Sequence, residues 1–353
     1  MKYIILIFIL PAISSFGNQY DCSDLLEAVE NQNYNAVITM IKDVDVDCLV
    51  RSSDPRTALV LAARRGYEDI AMLLIKSGAD INYHHGGDES PLMAAINSKM
   101  DKVAKLMIEK GANVGEVSSG DGTPLLAAAR SGNYLYAKAL IEKGADVNAV
   151  SWGDGTALTA AISFGNLEIA KLFLDNGADP NLGTRSDGYP LWLAAKKGNT
   201  ELVSLLVQKG VDVNQEFMGD GNAMIQAAQN GNIELLKTLI NFGADINLGV
   251  SGDGNPLIQA SRNGHLDAVL YLVEEGANVN YEIMGDETPL IKASENGYLD
   301  IVKFLISKGA DVNKSSRDGY FFNARLRTPL KMARKNGHDD VEKYLLEMGA
   351  ENE

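Results

Sequence analysis

The sequence predicts an all-α solenoid of about ten helix-turn-helix repeats joined by short β-hairpin loops. Three observations predict it. A three-residue segment that begins with a polar residue, such as Thr-Pro-Leu, returns every 33 residues. A glycine follows nine residues after the start of this triplet, and a Gly-Ala-Asp block closes each unit. A period of this length is typical of solenoids, whose units bury a core only by stacking on their neighbours.

The triplets predict the start of the first helix in each unit. A Thr, Ser or Asn side chain caps a helix by accepting a backbone N–H, and a following proline fits the first helical position. Alanines later in the same helix allow close helix packing. The in-phase copies start at Thr57, Ser90, Thr123, Thr156, Tyr189, Asn222, Asn255 and Thr288.

The glycines predict where each helix ends. A glycine takes the left-handed conformation that closes a helix at little steric cost. Lys99 replaces the mid-repeat glycine once, and Gln32 stands there in the first unit. The other mid-repeat glycines are Gly66, Gly132, Gly165, Gly198, Gly231, Gly264 and Gly297. Those of the closing blocks are Gly78, Gly111, Gly144, Gly177, Gly210, Gly243, Gly276 and Gly309.

The two terminal units are atypical, as capping repeats are. Ser23-Asp24-Leu25 opens the first helical pair, with Cys22 before its first helix and the second helix near 36–42. The last pair starts at Thr328, seven residues later than the period predicts, so 320–327 forms a longer loop. The predicted organisation is a signal peptide (1–17), an N-terminal capping repeat (18–55), eight central repeats (56–319), and an insert loop with a C-terminal capping repeat (320–353).

The first seventeen residues resemble a secretory signal. Lys2 precedes an apolar run over 3–13, and small residues lead to a cleavage site after Gly17. The alternative is an uncleaved anchor, but the apolar run is about half of the roughly 20 residues that a spanning helix needs. The prediction is a secreted or periplasmic protein with no membrane insertion after cleavage.

The two cysteines flank the first helical pair. Disulfides persist in oxidising compartments, so a secreted chain favours a bond between Cys22 and Cys48. The alternative is two free buried thiols.

The landmarks together resemble the ankyrin repeat. Thr-Pro-Leu, the mid-repeat glycine and the Gly-Ala-Asp-Val-Asn block match that family's pattern and period over essentially the whole mature chain. The resemblance implies an ankyrin-type α-solenoid that binds partners on its hairpin tips and along the concave face formed by its first helices. The family's histidine after Thr-Pro-Leu is missing in every repeat, so an apolar contact is expected to replace its hydrogen bond. The residues at that position are Val60, Met93, Leu126, Thr159, Trp192, Ile225, Ile258, Ile291 and Lys331.

A turn aspartate recurs in register before the triplets. This pattern favours a structural role in the turn, in which the Asp side chain accepts hydrogen bonds from local backbone N–H groups. The alternative is a row of cation sites along the hairpins, but a hard cation needs several oxygen ligands that converge on it. These residues are Asp88, Asp121, Asp154, Asp187, Asp220, Asp253 and Asp286. His84-His85 favours an exposed loop over a weak metal site.

Composition and motifs narrow the function. A net charge of −15 argues against nucleic-acid binding, and 46% hydrophobic residues exclude a disordered chain. The sequence contains no H-E-x-x-H, G-x-S-x-G or Walker A motif. We therefore expect no catalysis, cofactor or resident metal, and a monomer that binds a protein or an acidic peptide segment. The alternatives are a stoichiometric inhibitor or immunity-type partner of one enzyme and, more remotely, a metal-dependent enzyme using the turn aspartates.

Two sets of residues are candidates for partner binding. The first lies just before the mid-repeat glycines and forms a basic stripe in an acidic chain, unless its charges pair with the turn aspartates. Its members are Arg64, Arg65, Arg130, Lys196, Lys197 and Arg262, with Phe164 beside them. The second set lies at the hairpin tips, where apolar residues mark contact sites unless the hairpins pack on each other. Its members are Trp152, Phe217, Met218, Val250, Ile283 and Met284. The aromatic residues of the 320–327 loop, Tyr320, Phe321 and Phe322, are a third candidate, and the alternative is that this loop covers the core of the last repeat.

Overall fold

The computed structural model describes residues 20–49, 56–83, 89–118, 122–151, 153–185, 188–217, 221–282, 287–317 and 326–351. Within these residues the chain forms twenty helices in ten pairs and two short hairpins. The repeat prediction is therefore confirmed. The proposed signal peptide lies outside the described residues.

The first helices of the pairs form one row, and the second helices form the other. The first-helix row consists of α1 (Cys22–Glu30), α3 (Ala58–Arg65), α5 (Pro91–Asn97), α7 (Pro124–Ser131), α9 (Ala157–Ser163), α11 (Pro190–Lys196), α13 (Ala223–Gln229), α15 (Pro256–Arg262), α17 (Pro289–Glu295) and α19 (Pro329–Asn336). The second-helix row consists of α2 (Tyr34–Met40), α4 (Glu68–Lys76), α6 (Asp101–Glu109), α8 (Tyr134–Glu142), α10 (Leu167–Asp175), α12 (Thr200–Gln208), α14 (Ile233–Asn241), α16 (Leu266–Glu274), α18 (Leu299–Ser307) and α20 (Asp339–Glu347).

Helix starts follow the capping prediction. The Thr123 hydroxyl accepts from the Leu126 N–H at 3.1 Å, and Pro124 occupies the first helical position. Asn222 does the same for α13 at 2.9 Å. Tyr189 is the exception, since its side chain makes no capping hydrogen bond and α11 begins on Pro190 alone.

Helix ends follow the glycine prediction. Gly132 ends α7 at φ 72°, in the left-handed region. Gln32 and Lys99, which replace the glycine, take φ values of 52° and 57°. The fold therefore imposes the left-handed turn even where the residue does not favour it.

The core lies between the two rows. Successive first helices contact each other, successive second helices do the same, and each pair packs internally. Ala62 and Ala63 of α3 and Leu74 of α4 are completely buried. Burying a leucine stabilises by roughly 1.5–3 kcal/mol, so the repeated side chains of this kind dominate the stability of the stack.

Asparagines at the ends of most closing blocks link a repeat to the next. The Asn148 side chain accepts from the Asp179 N–H at 2.7 Å and donates to the Gly177 carbonyl at 3.0 Å. Asp47 makes the first such link, with both carboxylate oxygens 3.0 Å from the Asp80 nitrogen. Equivalent acceptors are Asn82, Asn214, Asn247, Asn280 and Asn313.

The residues at the position of the missing family histidine are apolar in most repeats. Val60 and Met93 are buried apolar contacts there, as expected. Hydrogen bonds between repeats come instead from the residue after the mid-repeat glycine. His265 Nε2 lies 2.9 Å from the Gln229 carbonyl oxygen, and His338 Nε2 lies 3.0 Å from that of Glu295.

The first repeat is closed by the Cys22–Cys48 disulfide, with 5.8 Å between the Cα atoms, which confirms the predicted bond. Cys22 is the first residue of α1 rather than preceding it, because Asp21 caps the helix and forms a capping box with Asp24. Helix α2 begins at Tyr34, two residues earlier than predicted, because Asn33 caps it.

Two hairpins occur within the described residues. Strand β1 (Val150–Ser151) pairs antiparallel with β2 (Gly155–Thr156). Strand β3 (Ser316–Arg317) pairs with β4 (Leu326–Arg327) and closes the ends of the longer loop. The aromatic residues of that loop lie outside the described residues. None of the described helices combines the length and apolar character needed to cross a membrane.

Candidate functional site

Three of the six predicted basic residues are neutralised by ion pairs. Arg64 Nε lies 2.9 Å from Glu89 Oε2, and the Glu89 side chain is almost fully buried. Arg65 pairs with Glu30 at 2.9 Å, and Arg130 pairs with the turn aspartate Asp154. The alternative of pairing with a turn aspartate therefore holds for Arg130, whereas Arg64 and Arg65 pair with glutamates instead.

The other three cations lie further along the first-helix row. Lys196 Nζ sits 4.3 Å from the centroid of the Trp192 ring, a cation–π contact. Lys197 is exposed, and Arg262 is half-buried. Among the described residues, none of the three has a carboxylate within ion-pair distance. Their charges remain available to an acidic group.

Phe164 follows α9 and is the most exposed aromatic side chain of the described residues, at 61%. It lies on the same row as the three available cations, one repeat before Lys196 and Lys197. We define these four residues, Phe164, Lys196, Lys197 and Arg262, as the central patch.

The structure contradicts the prediction of an exposed hairpin tip at Phe217. Phe217 is only 4% exposed, and its ring stacks on Tyr189 at a centroid distance of 5.0 Å. This burial favours hairpin packing over partner contact and removes Phe217 from the available surface. Val250 is half-buried, and its backbone N–H donates to the Gly254 carbonyl at 2.9 Å. The other four tip residues, Trp152, Met218, Ile283 and Met284, lie outside the described residues.

A buried charge network closes the C-terminal end of the first-helix row. Lys292 pairs with Glu287 at 2.8 Å and with Glu295 at 3.1 Å, while Arg327 pairs with the same two glutamates. Burial alone would raise the pKa of Glu295, but Lys292 and Arg327 lower it below its ordinary value. Sequence reasoning missed this network. Its signal was Glu287, which replaces a turn glycine as Glu89 does.

Two of the seven turn aspartates, Asp154 and Asp253, lie within the described residues. Asp154 accepts from Arg130 and from the Ser151 hydroxyl, whereas the backbone N–H of Asp253 donates to the Val250 carbonyl at 3.0 Å. These contacts are turn and ion-pair chemistry. No group of three metal-ligating side chains assembles in the described part of the chain.

Sequence reasoning also missed a cleft on the second-helix row. It lies between α6 and α8, has a volume of about 410 Å³ and is lined by Ile108, Leu135, Tyr136 and Ala139 among others. The Tyr136 hydroxyl donates to Asp101 at 2.5 Å. Burial and this hydrogen bond raise the pKa of Tyr136, so its hydroxyl stays protonated.

A two-row stack of helical pairs, with exposed basic residues on one row, defines a helical-repeat protein with an extended surface. The chain belongs to the ankyrin repeat family. The family model for ankyrin repeats in three copies matches residues 25–118, 116–184, 183–250, 224–316 and 285–353. No curated protein matches the chain. Ankyrin repeats generally mediate protein–protein interactions, and proteins built from them are generally non-enzymatic scaffolds.

Proposed function

We propose that the chain is a non-catalytic scaffold that binds an acidic segment of another protein at the central patch. The observation that carries this proposal is the presence of three cations with no carboxylate partner in the described part of the chain. They lie on the same row as an exposed aromatic ring, in a chain of net charge −15. An acidic body with one local basic surface selects acidic groups by charge complementarity.

Phe164 supports an apolar anchor in the same contact. The equivalent residue in three later repeats is a polar asparagine, Asn230, Asn263 and Asn296. A phenylalanine exposed at this position gains little within the chain. Aromatic residues surrounded by charge are frequent anchors of protein interfaces. The proposed ligand is therefore an acidic segment that also carries an apolar side chain.

The proposed setting is outside the cytoplasm. Two features support this setting: the signal-like segment over 1–17 and the Cys22–Cys48 disulfide. Disulfides persist in oxidising compartments. Expression of the full sequence in a secreting host should yield a chain that begins at Asn18. Intact-mass measurement of the recovered protein checks this, and a mass that retains residues 1–17 contradicts it.

The binding proposal is tested by selecting displayed peptides on residues 18–353. The selection is then repeated on a variant with Lys196→Glu, Lys197→Glu and Arg262→Glu. Peptides recovered on the natural chain should be rich in Asp and Glu around an apolar residue. Their affinity, measured by fluorescence polarisation, should fall at least about tenfold for the variant and should weaken as salt rises.

The matched control reverses three exposed lysines on the second-helix row, Lys76, Lys237 and Lys303, with the same change in net charge. Binding should survive in this control. Peptides that bind the central-patch variant as well as the natural chain, or that lose affinity equally for both variants, would contradict the proposal.

A further inference from the structure

The boundary between the third and fourth helical pairs has few polar links. It separates α5 and α6 from α7 and α8, and we name it the α6–α8 boundary. Among the described residues, one side-chain hydrogen bond crosses it, from the Tyr136 hydroxyl to Asp101 at 2.5 Å. Within the same residues, every other boundary of the stack is crossed by more than one side-chain hydrogen bond or ion pair.

Gly115 removes one of the usual links at this boundary. Asn82 and Asn148, at the same place in the neighbouring repeats, each accept a backbone N–H of the following repeat at 2.7 Å. Glycine has no side chain to make this bond. Asn181 makes no such bond in the described part of the chain either, but two ion pairs from α10 to the following repeat hold its boundary.

Lys99 accounts for the loss of a second link. In the next repeat, Asn166 Nδ2 donates across the boundary to the Ala129 carbonyl at 2.6 Å. A Cβ added to Gly132 would lie 3.0 Å from Asn166 Oδ1, so a side chain there would crowd the asparagine. Lys99 carries a Cβ at the equivalent place, in the same left-handed conformation. Asn133 is the equivalent of Asn166, and within the described residues it caps its own helix without bonding across the boundary.

Packing along the second-helix row is also incomplete at this boundary. The cleft of about 410 Å³ between α6 and α8 has Ile108 and Ala139 in its lining. A second cleft, of about 340 Å³, has Lys99 and Asn133 in its lining. Leu135 lines both clefts and is 75% exposed. Apolar atoms that face open space lack the dispersion contacts of a packed interface, so the second helices hold this boundary weakly.

The first-helix row holds the boundary instead. Leu92 of α5 and Leu125 of α7 are each 1% exposed, and these two helices pack directly on each other. The two sides of the boundary are therefore joined mainly along one row, whereas elsewhere polar links supplement the packing.

We propose that the solenoid opens first at the α6–α8 boundary, so that α1–α6 and α7–α20 behave as two cooperative blocks. The stability of a stack is approximately a sum of repeat stabilities and nearest-neighbour interface contributions. One weak interface therefore allows the repeats on one side to unfold together while those on the other side stay folded. The shorter block, α1–α6, opens more readily because fewer repeats stabilise it.

This division leaves the central patch intact when the shorter block opens. Phe164, Lys196, Lys197 and Arg262 all lie in the longer block. A partner at the patch would stabilise that block, because a ligand stabilises the folded repeats to which it binds. This consequence rests on the proposed function. The two blocks do not, since they are measured without a ligand.

Hydrogen exchange tests the proposal on residues 18–353 with the disulfide intact, in denaturant below the unfolding midpoint. Mass spectrometry follows the amides of each helical pair. The amides of α3–α6 should share one protection factor, at least about tenfold lower than that of α7 and α8. A stack without a weak interface would instead show protection that rises gradually from the end inwards.

Tyr136→Phe removes the one polar link and keeps the aromatic ring. It should lower the protection of α3–α6 by about fivefold, the loss expected for one hydrogen bond, and leave α17–α20 unchanged. The effect should reach α3 and α4 although the substitution lies in α8, because the block opens as a unit. Lys99→Gly and Gly115→Asn should each raise the protection of the same amides, since each allows a missing link to form.

The matched control is Tyr271→Phe, which removes a tyrosine hydroxyl from α16 in the longer block and should leave α3–α6 unchanged. Three results would overturn the proposal. The first is different protection of α3–α4 and α5–α6 in the natural chain, and the second is an effect of Tyr136→Phe confined to α6 and α8. The third is an equal loss of protection over α3–α6 in Tyr271→Phe.

Discussion

The Asn148 side chain spans two repeats by accepting from the Asp179 N–H at 2.7 Å while donating to the Gly177 carbonyl at 3.0 Å. One amide thus satisfies two backbone groups of the following helix end, which would otherwise depend on water. The contact recurs because residues 33 apart take the same place in successive repeats. It joins rigid units that touch only their neighbours, so a missing link weakens one interface locally.

Gly115 is a position where this link is missing. It occupies the place of Asn148 one repeat earlier and has no side chain to reach the following repeat. Its backbone is outside the left-handed region, and an added Cβ would meet only Asn113 Oδ1 at 3.8 Å. Gly115→Asn should therefore stabilise the chain by about 1 kcal/mol, through the new hydrogen bonds and a less flexible unfolded chain.

Chemical denaturation of both chains measures this difference. The expected partners of the new side chain are the Asp146 N–H and the Gly144 carbonyl. Asn148→Gly is the matched control and should destabilise by a similar amount. If Gly115→Asn lowers the unfolding midpoint, the link is not transferable between repeats.

Lys99 and Gln32 hold the left-handed conformation that glycine holds elsewhere. A residue with a side chain is destabilised by roughly 1–2 kcal/mol in this conformation. Glycine avoids this strain, but its greater freedom in the unfolded chain offsets part of the gain. Lys99→Gly and Gln32→Gly should each stabilise by about 0.5–1 kcal/mol. Thermal unfolding measures the change. The reverse substitution, Gly66→Lys, should lower the melting temperature. Gly66 has φ 74° and an added Cβ would meet no neighbouring atom, so the destabilisation comes from backbone strain alone.

The helices were predictable because their signals are local. Thr123 and Gly132 mark the two ends of α7 within the same short segment, and the 33-residue period repeats these marks along the chain. The disulfide partner of Cys22 was also predictable, since the chain has only one other cysteine. The binding surface was less predictable from the sequence. Whether Arg130 is free depends on Asp154, 24 residues away, and pattern alone does not decide between pairing and availability.

Burial of the hairpin residues depends equally on tertiary packing. Phe217 lies beside a turn, so its position in the sequence predicts an exposed residue at the hairpin tip. Its ring instead stacks on Tyr189 of the preceding repeat. The exposed Leu135 of α8, in contrast, left a signal in the sequence. Comparing Leu135 with Glu168 and Asp69 at the same place in other repeats shows one apolar residue among polar ones. A column-by-column comparison of the repeats finds such departures where a search for motifs does not.

Reducing the Cys22–Cys48 disulfide should loosen the first repeat. The two residues are separated by 26 positions, and closing a loop of this size stabilises by about 3 kcal/mol. In a solenoid this loss stays near the end of the stack. Hydrogen exchange should show faster amide exchange over residues 20–49 after reduction, with little change over 122–151. The Cys22→Ser, Cys48→Ser double variant should match the reduced chain, and uniform loss of protection along the stack would contradict this account.

Glu295 should make stability depend on pH in the acid range. Burial alone would raise the pKa of its carboxyl, but Lys292 and Arg327 lower it below the ordinary value. A depressed folded-state pKa means that the unfolded chain binds the proton more readily, so stability rises with pH between the two pKa values. The contribution of Glu295 is therefore complete above the ordinary glutamate pKa of about 4.3 and is lost as the pH falls through the lower, folded-state pKa.

Glu295→Gln isolates this contribution. At about pH 7 the variant should be less stable than the natural chain by about 1 kcal/mol, because it keeps a neutral acceptor but loses the charge that faces Lys292 and Arg327. The difference between the two chains should shrink below about pH 4. Denaturation at a series of pH values measures it. Glu142→Gln, an exposed residue 3.9 Å from Lys138, is the control and should show almost no difference at any pH. A gap between Glu295→Gln and the natural chain that stays constant down to acid pH would mean that Glu295 acts through packing rather than through its charge.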